Sequence, residues 1–129
     1  MAICLQCKDE FTPKRNTFGK YCSNRCQSDY QHHQYIKRWK NGEETGHTGK
    51  TLQISNHVRK YLLEKADNAC SSCGWNKLHP IDNLPLVETD HIDGDASNTV
   101  ESNLRVLCPN CHSMTSTFRA RNKNSKRKR

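Results

Sequence analysis

The chain has 129 residues, 33% of them hydrophobic, with a mean hydropathy of -1.01 and a formal net charge of +8. That length admits one domain or two very small ones and excludes a large apolar core, so the fold needs staples. No segment approaches membrane-spanning length, and the basic balance points to a polyanionic partner rather than a membrane.

The charge is unevenly placed. Residues 1–60 carry +6, residues 61–118 carry -5 and residues 119–129 carry +7. Such a layout suits a polyanion gripped at both ends and a divalent cation held in the middle.

In chain order, the first motif is CLQCKDEFTPKRNTFGKYCSNRC. It contains Cys4 and Cys7, fourteen intervening residues, then Cys22 and Cys26. Two-residue and three-residue gaps let neighbouring thiolates grip one tetrahedral ion, so a four-cysteine zinc site is expected. This spacing resembles the short treble-clef fingers whose second cysteine pair opens a helix. Ser23 is positioned to cap that helix, which is expected to run through QSDYQHHQYIKRWK to Asn41 and Gly42. Lys37, Arg38 and Lys40 make its end basic. Tyr35 and Trp39 share one face, where they form the finger's core or, less favoured, stack on bases.

NGEETGHTGK, residues 41–50, has three glycines and no apolar residue and reads as a linker between modules 1–40 and 51–118. Ser55 then caps a second helix carrying Val58, Tyr61, Leu62 and Ala66 at helical spacing. It leads to Cys70 and Cys73, and Cys108 and Cys111 follow after thirty-four intervening residues. These four predict a second zinc site, whose binding free energy is also folding free energy. A disulfide framework is the alternative. It would need a secreted chain, whereas MAICLQCKDE has no apolar run of signal-peptide length, so a cytoplasmic location is expected.

Between the knuckles, PLVETDHI reads as a strand, DGDASN as a turn, LRVLC as a second strand, and Pro109 as a helix start. With four cysteines closing the zinc site, His112 is left for other work. Its helix would present Cys111, Met114 or Thr115, and Phe118 as an inner face. Adjacent residues on a regular strand point to opposite faces, so the chain must bend for Asp90 and His91 to serve one site. Gly94 gives the backbone that freedom and Asn103 is the natural brace. DHIDGD lacks the alternating ligands of a calcium loop, and Asp93 and Asp95 are expected to shape the turn through their own backbone.

Asp90-His91, Asn103 and His112, set between CSSCGW and NLRVLCPNCH, strongly resemble the HNH endonucleases, especially small phage-encoded ones. The resemblance implies a small α+β fold, a zinc-stapled ββα-metal module preceded by the treble-clef-like finger. It implies DNA as substrate, cut to 5′-phosphate and 3′-hydroxyl ends. His91 would be the general base for water and Asp90 and His112 would hold a catalytic divalent ion, with Asn103 pinning the loop. A histidine near its ordinary pKa of about 6.5 suits the base, and a Lewis-acid ion suits the charge that builds on phosphate. Some relatives place another ligand four residues after the last histidine. Here that residue is Ser116, a poor ligand, which leaves the metal open among magnesium, manganese, nickel and cobalt.

Backbone grip on DNA is expected from Lys14, Arg15, Lys20 and Arg25 in the finger and from Lys37 and Arg38 on its helix. It is also expected from a basic disordered tail over 119–129, with Arg119, Arg121, Lys123, Lys126, Arg127, Lys128 and Arg129. The competing function is a DNA-binding protein that does not cut, in which the Asp-His-Asn-His set is idle. A zinc-stapled adaptor explains neither the tail nor His112.

Overall fold

The computed structural model describes residues 1–14 and 19–125. Arg15, Lys126, Arg127, Lys128 and Arg129, all expected to touch DNA, lie outside the described residues. The fold is small and mixed α+β, with two two-stranded antiparallel sheets and three α-helices among the described residues.

β1 (Ala2–Ile3) pairs with β2 (Glu10–Phe11) around the first knuckle. Lys8 closes that knuckle in a left-handed conformation, its N–H donating to the Cys4 carbonyl at 3.0 Å. α1 runs over Asn24–Lys40 with Ser23 as its N-cap, accepting from the Cys26 N–H at 3.1 Å. α2 (Asn56–Lys65) starts in the same way, Ser55 accepting from the Val58 N–H at 3.2 Å. Each cap satisfies one of the orphan amides of a helix start, which is why both starts are readable from a serine.

β3 (Glu88–His91) and β4 (Leu104–Leu107) form the second sheet, with Asp90 opposite Arg105 and His91 opposite Leu104. α3 (Pro109–Ser113) follows directly, Pro109 in its first turn. The order strand, loop, strand, helix is as expected, but the last helix is only five residues long. Its inner face is therefore not the expected one. Met114 is 75% exposed, and Phe118 reaches the site from beyond the helix.

The core lies where α1, α2 and the β3/β4 hairpin meet. Ile36 and Trp39 of α1 pack with Val58, Leu62, Leu63, Val87, Leu104, Val106 and Leu107. Trp39 is thus buried in a core that α1 shares with α2 and the β3/β4 hairpin, and the indole is not available for stacking on bases. Tyr35 lies stacked on His57 of α2, and the His32 and His57 Nδ1 atoms are 2.9 Å apart. Most of residues 41–50 are exposed, but Gly46 is buried. Gly46, at φ +81, sits where a β-carbon would come within 2.6 Å of the Trp39 indole nitrogen. No helix among the described residues is long and apolar enough to cross a membrane.

Candidate active site

Two cysteine clusters frame the molecule. Cys4, Cys7, Cys22 and Cys26 form one, Cys70, Cys73, Cys108 and Cys111 the other, and in each the four sulfurs lie within 4.8 Å of one another. None of the eight is in a disulfide. Thiolates on a tetrahedral zinc with bonds of about 2.3 Å stand about 3.8 Å apart. The Cys7–Cys22, Cys22–Cys26 and Cys73–Cys108 sulfur separations are 3.6, 3.6 and 3.7 Å. Either group could hold a metal ion.

Their ionisation agrees with that. Burial pushes the Cys4 thiol up, but backbone N–H groups of Cys7, Cys22 and Gln6 outweigh it and draw the thiol down to about 6. At the other cluster the Cys108 and Cys73 sulfurs push Cys111 up to about 12. Without a cation, four crowded thiols cannot all ionise. Ser71 anchors the second cluster to the hairpin, its N–H and hydroxyl both donating to the Val106 carbonyl at 2.8 Å.

Beside this cluster is a cavity of about 550 Å³ whose walls include Glu88, Asp90, His91, His112, Phe118 and Arg119. Glu88 and Asp90 are two residues apart on β3 and therefore share a face, toward α3. Both reach His112. The Glu88 carboxylate contacts His112 Nδ1, and Asp90 Oδ1 lies 3.4 Å from His112 Nε2. The other Asp90 oxygen accepts from Arg105 Nε at 2.9 Å, across the strand pair. Phe118 closes the far side, its ring edge-on to the imidazole at 5.1 Å. Glu88 and Arg105 are site residues the sequence reading missed. Each was within reach of a register argument, Glu88 by the period of two and Arg105 by pairing across the hairpin.

His91 stands on the opposite face from Asp90, at the end of the strand, and still lines the same cavity. It is 6% exposed, and its Nε2 lies 3.1 Å from the Thr99 hydroxyl oxygen. The bend that makes this possible follows directly. The Gly94 N–H donates to the His91 carbonyl at 3.0 Å, with Gly94 at φ +77.

The loop after it is a network centred on Asp93. Its carboxylate accepts from Asn98 Nδ2 at 2.8 Å, the Asp95 N–H at 2.8 Å and Asn103 Nδ2 at 3.0 Å. These bonds hold its pKa below the usual carboxylate value. Asp95 likewise accepts from the Ser97 N–H and hydroxyl. Both aspartates shape the turn, as expected. Asn103 fastens the loop to the start of β4 by three bonds. The Asp93 N–H donates to its oxygen at 3.2 Å, and its amide nitrogen donates to Asp93 and, at 2.7 Å, to the Asn98 carbonyl.

Of the basic residues expected at DNA, Lys14, Lys20, Arg25, Lys37, Arg38, Arg119, Arg121 and Lys123 are exposed. Arg38 is also paired with Glu44 at 3.2 Å, and Arg119 stands at the cavity, its guanidinium 4.9 Å from the Phe118 ring centre. Where the sequence reads as a solvated tail, Arg119–Arg121 form one 3-10 turn. Asn122 and Asn124 then donate to the Gly94 and Asp93 carbonyls at 2.7 and 2.8 Å. These two bonds tie the segment after Arg121 to the Asp93 loop.

A family model described as HNH endonuclease matches residues 70–118, the segment holding Asp90, His91, Asn103, His112 and the second cysteine cluster. Residues 70–118 of the chain thus match the HNH family. It is also 32% identical over 90 residues to the H-N-H endonuclease F-TflIV of Escherichia phage T5. That alignment covers 69% of this chain but only 39% of the phage protein's length. No solved structure matches this chain significantly. α1 and α2 both lie before the matched segment.

Proposed function

We propose that this protein is an HNH-type, metal-dependent DNA endonuclease. The observation that carries the reading is the convergence of Asp90, His91 and His112 on one open cavity, with Asp90 Oδ1 and His112 Nε2 3.4 Å apart. Two ligand atoms each about 2.1 Å from an octahedral ion stand about 3.0 Å apart, so this pair fits a divalent ion after a small adjustment. Asp90 and His112 would hold it, Glu88 orienting the imidazole from behind. Magnesium or manganese fits the carboxylate best, while the imidazole also suits nickel or cobalt. The bound ion would supply charge neutralisation at the scissile phosphate and at the departing 3′ oxygen.

His91 takes the proton from the attacking water. His91 lines the same cavity as His112 from the strand face opposite to Asp90, and a water bound there would approach the phosphate in line with the leaving oxygen. Arg119 at the rim would neutralise a phosphate oxygen, and the exposed basic residues of the finger, of α1 and of 119–129 would follow the backbone of the duplex. The two cysteine clusters would carry structural zinc, the first in a treble-clef-like finger and the second beneath the ββα-metal arrangement of β3, β4 and α3. Thiolate ligands need a reducing compartment, which fits a host-cell cytoplasm.

Purified protein incubated with supercoiled plasmid tests this. Cutting is expected with added Mg²⁺ or Mn²⁺ and is expected to vanish when the ion is omitted, which leaves thiolate-bound zinc in place, or when His91→Ala is used. Retardation of the plasmid without cutting, at every metal tried, would support the DNA-binding reading instead.

A further inference from the structure

We propose that Trp39, from the finger helix that precedes the matched nuclease segment, positions His91 through Thr99. The inference rests on the reading of His91 as general base.

The three residues form a buried chain. Trp39 is 5% exposed, Thr99 2% and His91 6%. The Trp39 indole N–H donates to the Thr99 carbonyl at 2.7 Å, across sixty residues of sequence. The Thr99 hydroxyl lies 3.2 Å from the Ala96 carbonyl and 3.1 Å from His91 Nε2. A hydroxyl has one proton, and the Ala96 carbonyl can only accept, so the proton belongs there. The Thr99 oxygen then accepts from His91, which places the imidazole proton on Nε2 and the basic lone pair on Nδ1. That is the tautomer a base needs when its Nε2 edge is turned into the protein.

Thr99 alone could not hold this geometry, because it belongs to the loop between β3 and β4. The indole, itself packed in the core with Leu62 and Val58 of α2, holds the Thr99 carbonyl. Gly46 allows the approach. A β-carbon there would lie 2.6 Å from the indole nitrogen and 3.0 Å from the Thr99 methyl. The segment before residue 70 is thus part of how the base is aimed, and not only a DNA-gripping appendage.

The test uses the full-length, zinc-loaded chain as wild type, Thr99→Val, Thr99→Ser and Trp39→Phe. Long-range proton–nitrogen NMR of the His91 ring, assigned by its loss in His91→Gln, reads the tautomer with neither DNA nor added Mg²⁺ or Mn²⁺ present. Plasmid cutting gives kcat and KM separately, and thermal unfolding reports the fold. We expect an Nε2–H ring in wild type and a mixture in Thr99→Val, with kcat down about tenfold or more and KM little changed. Thr99→Ser keeps the hydroxyl and should recover both tautomer and most of kcat. Trp39→Phe should shift both in the direction of Thr99→Val by a smaller factor. A wild-type ring protonated on Nδ1, or a folded Thr99→Val with unaltered tautomer and kcat, overturns the proposal. If wild type cuts no DNA yet its Nε2–H ring is lost in Thr99→Val, the positioning stands and the nuclease reading fails.

Discussion

Asn103→Ala separates bracing of the loop from binding of the ion. Among the described residues the Asn103 side chain bonds to Asp93 and Asn98, and not to Asp90 or His112. Three hydrogen bonds at a half-buried site are worth about 1 kcal/mol each, so removal should cost about 3 kcal/mol of stability. The same bonds fix the loop that presents Thr99 to His91. If their whole value is expressed in the orientation of the base, the rate falls about 100-fold, at 1.36 kcal/mol per decade. Partial expression gives about tenfold. The assays are urea unfolding, single-turnover plasmid cutting and Mn²⁺ titration by calorimetry. We expect a lower unfolding midpoint, a rate reduced between those limits and an unchanged Mn²⁺ affinity. Loss of Mn²⁺ binding in a variant that remains folded would refute the reasoning, since it would place Asn103 at the ion.

Other perturbations address the remaining parts. Glu88→Gln should weaken Mn²⁺ binding about 10- to 100-fold while plasmid retardation is kept, because the imidazole loses the carboxylate that orients it; unchanged affinity would remove Glu88 from the site. Stripping the thiolate-bound metal should unfold the chain, as a contribution on the order of 10 kcal/mol rivals the net stability of a small domain; native circular dichroism after chelation would count against structural zinc. Burial, then the charges of Lys60 and His57, lower the His32 pKa below 6.5. The folded state then binds fewer protons than the unfolded chain just below pH 6.5, so stability is full above that value and declines as pH falls toward the folded pKa. Wild type should lose more urea resistance than His32→Gln between pH 7.5 and 5.5, and equal losses would show that this ring is not responsible. Deleting residues 126–129 leaves the Asn122 and Asn124 anchors in place and removes four cations. The salt slope of DNA binding should fall by up to about 3.6, at about 0.9 per phosphate contact, and an unchanged slope would mean those cations do not touch DNA.

The sequence by itself determined what depends on near neighbours. Cysteine gaps of two and three residues dictate chelation, because adjacent thiolates reach one ion only at such spacing. Ser23 and Ser55 mark helix starts because a cap bonds three residues ahead, and the period of two already puts Glu88 and Asp90 on one face. Asp90, His91, Asn103 and His112 were legible as a set, since one short hairpin and the helix after it carry all four.

Tertiary structure decided how the set is aimed. Nothing local announces that Trp39 would leave the finger's own core and bond to Thr99, or that Thr99 would turn a hydroxyl toward His91. Those contacts arise because a 129-residue chain with so little apolar material cannot build two cores, so α1 joins the hairpin and α2 to bury what there is. Spacing along the chain sets which groups can share an ion or a cap, whereas the surroundings of the buried His91 imidazole depend on packing between segments sixty residues apart.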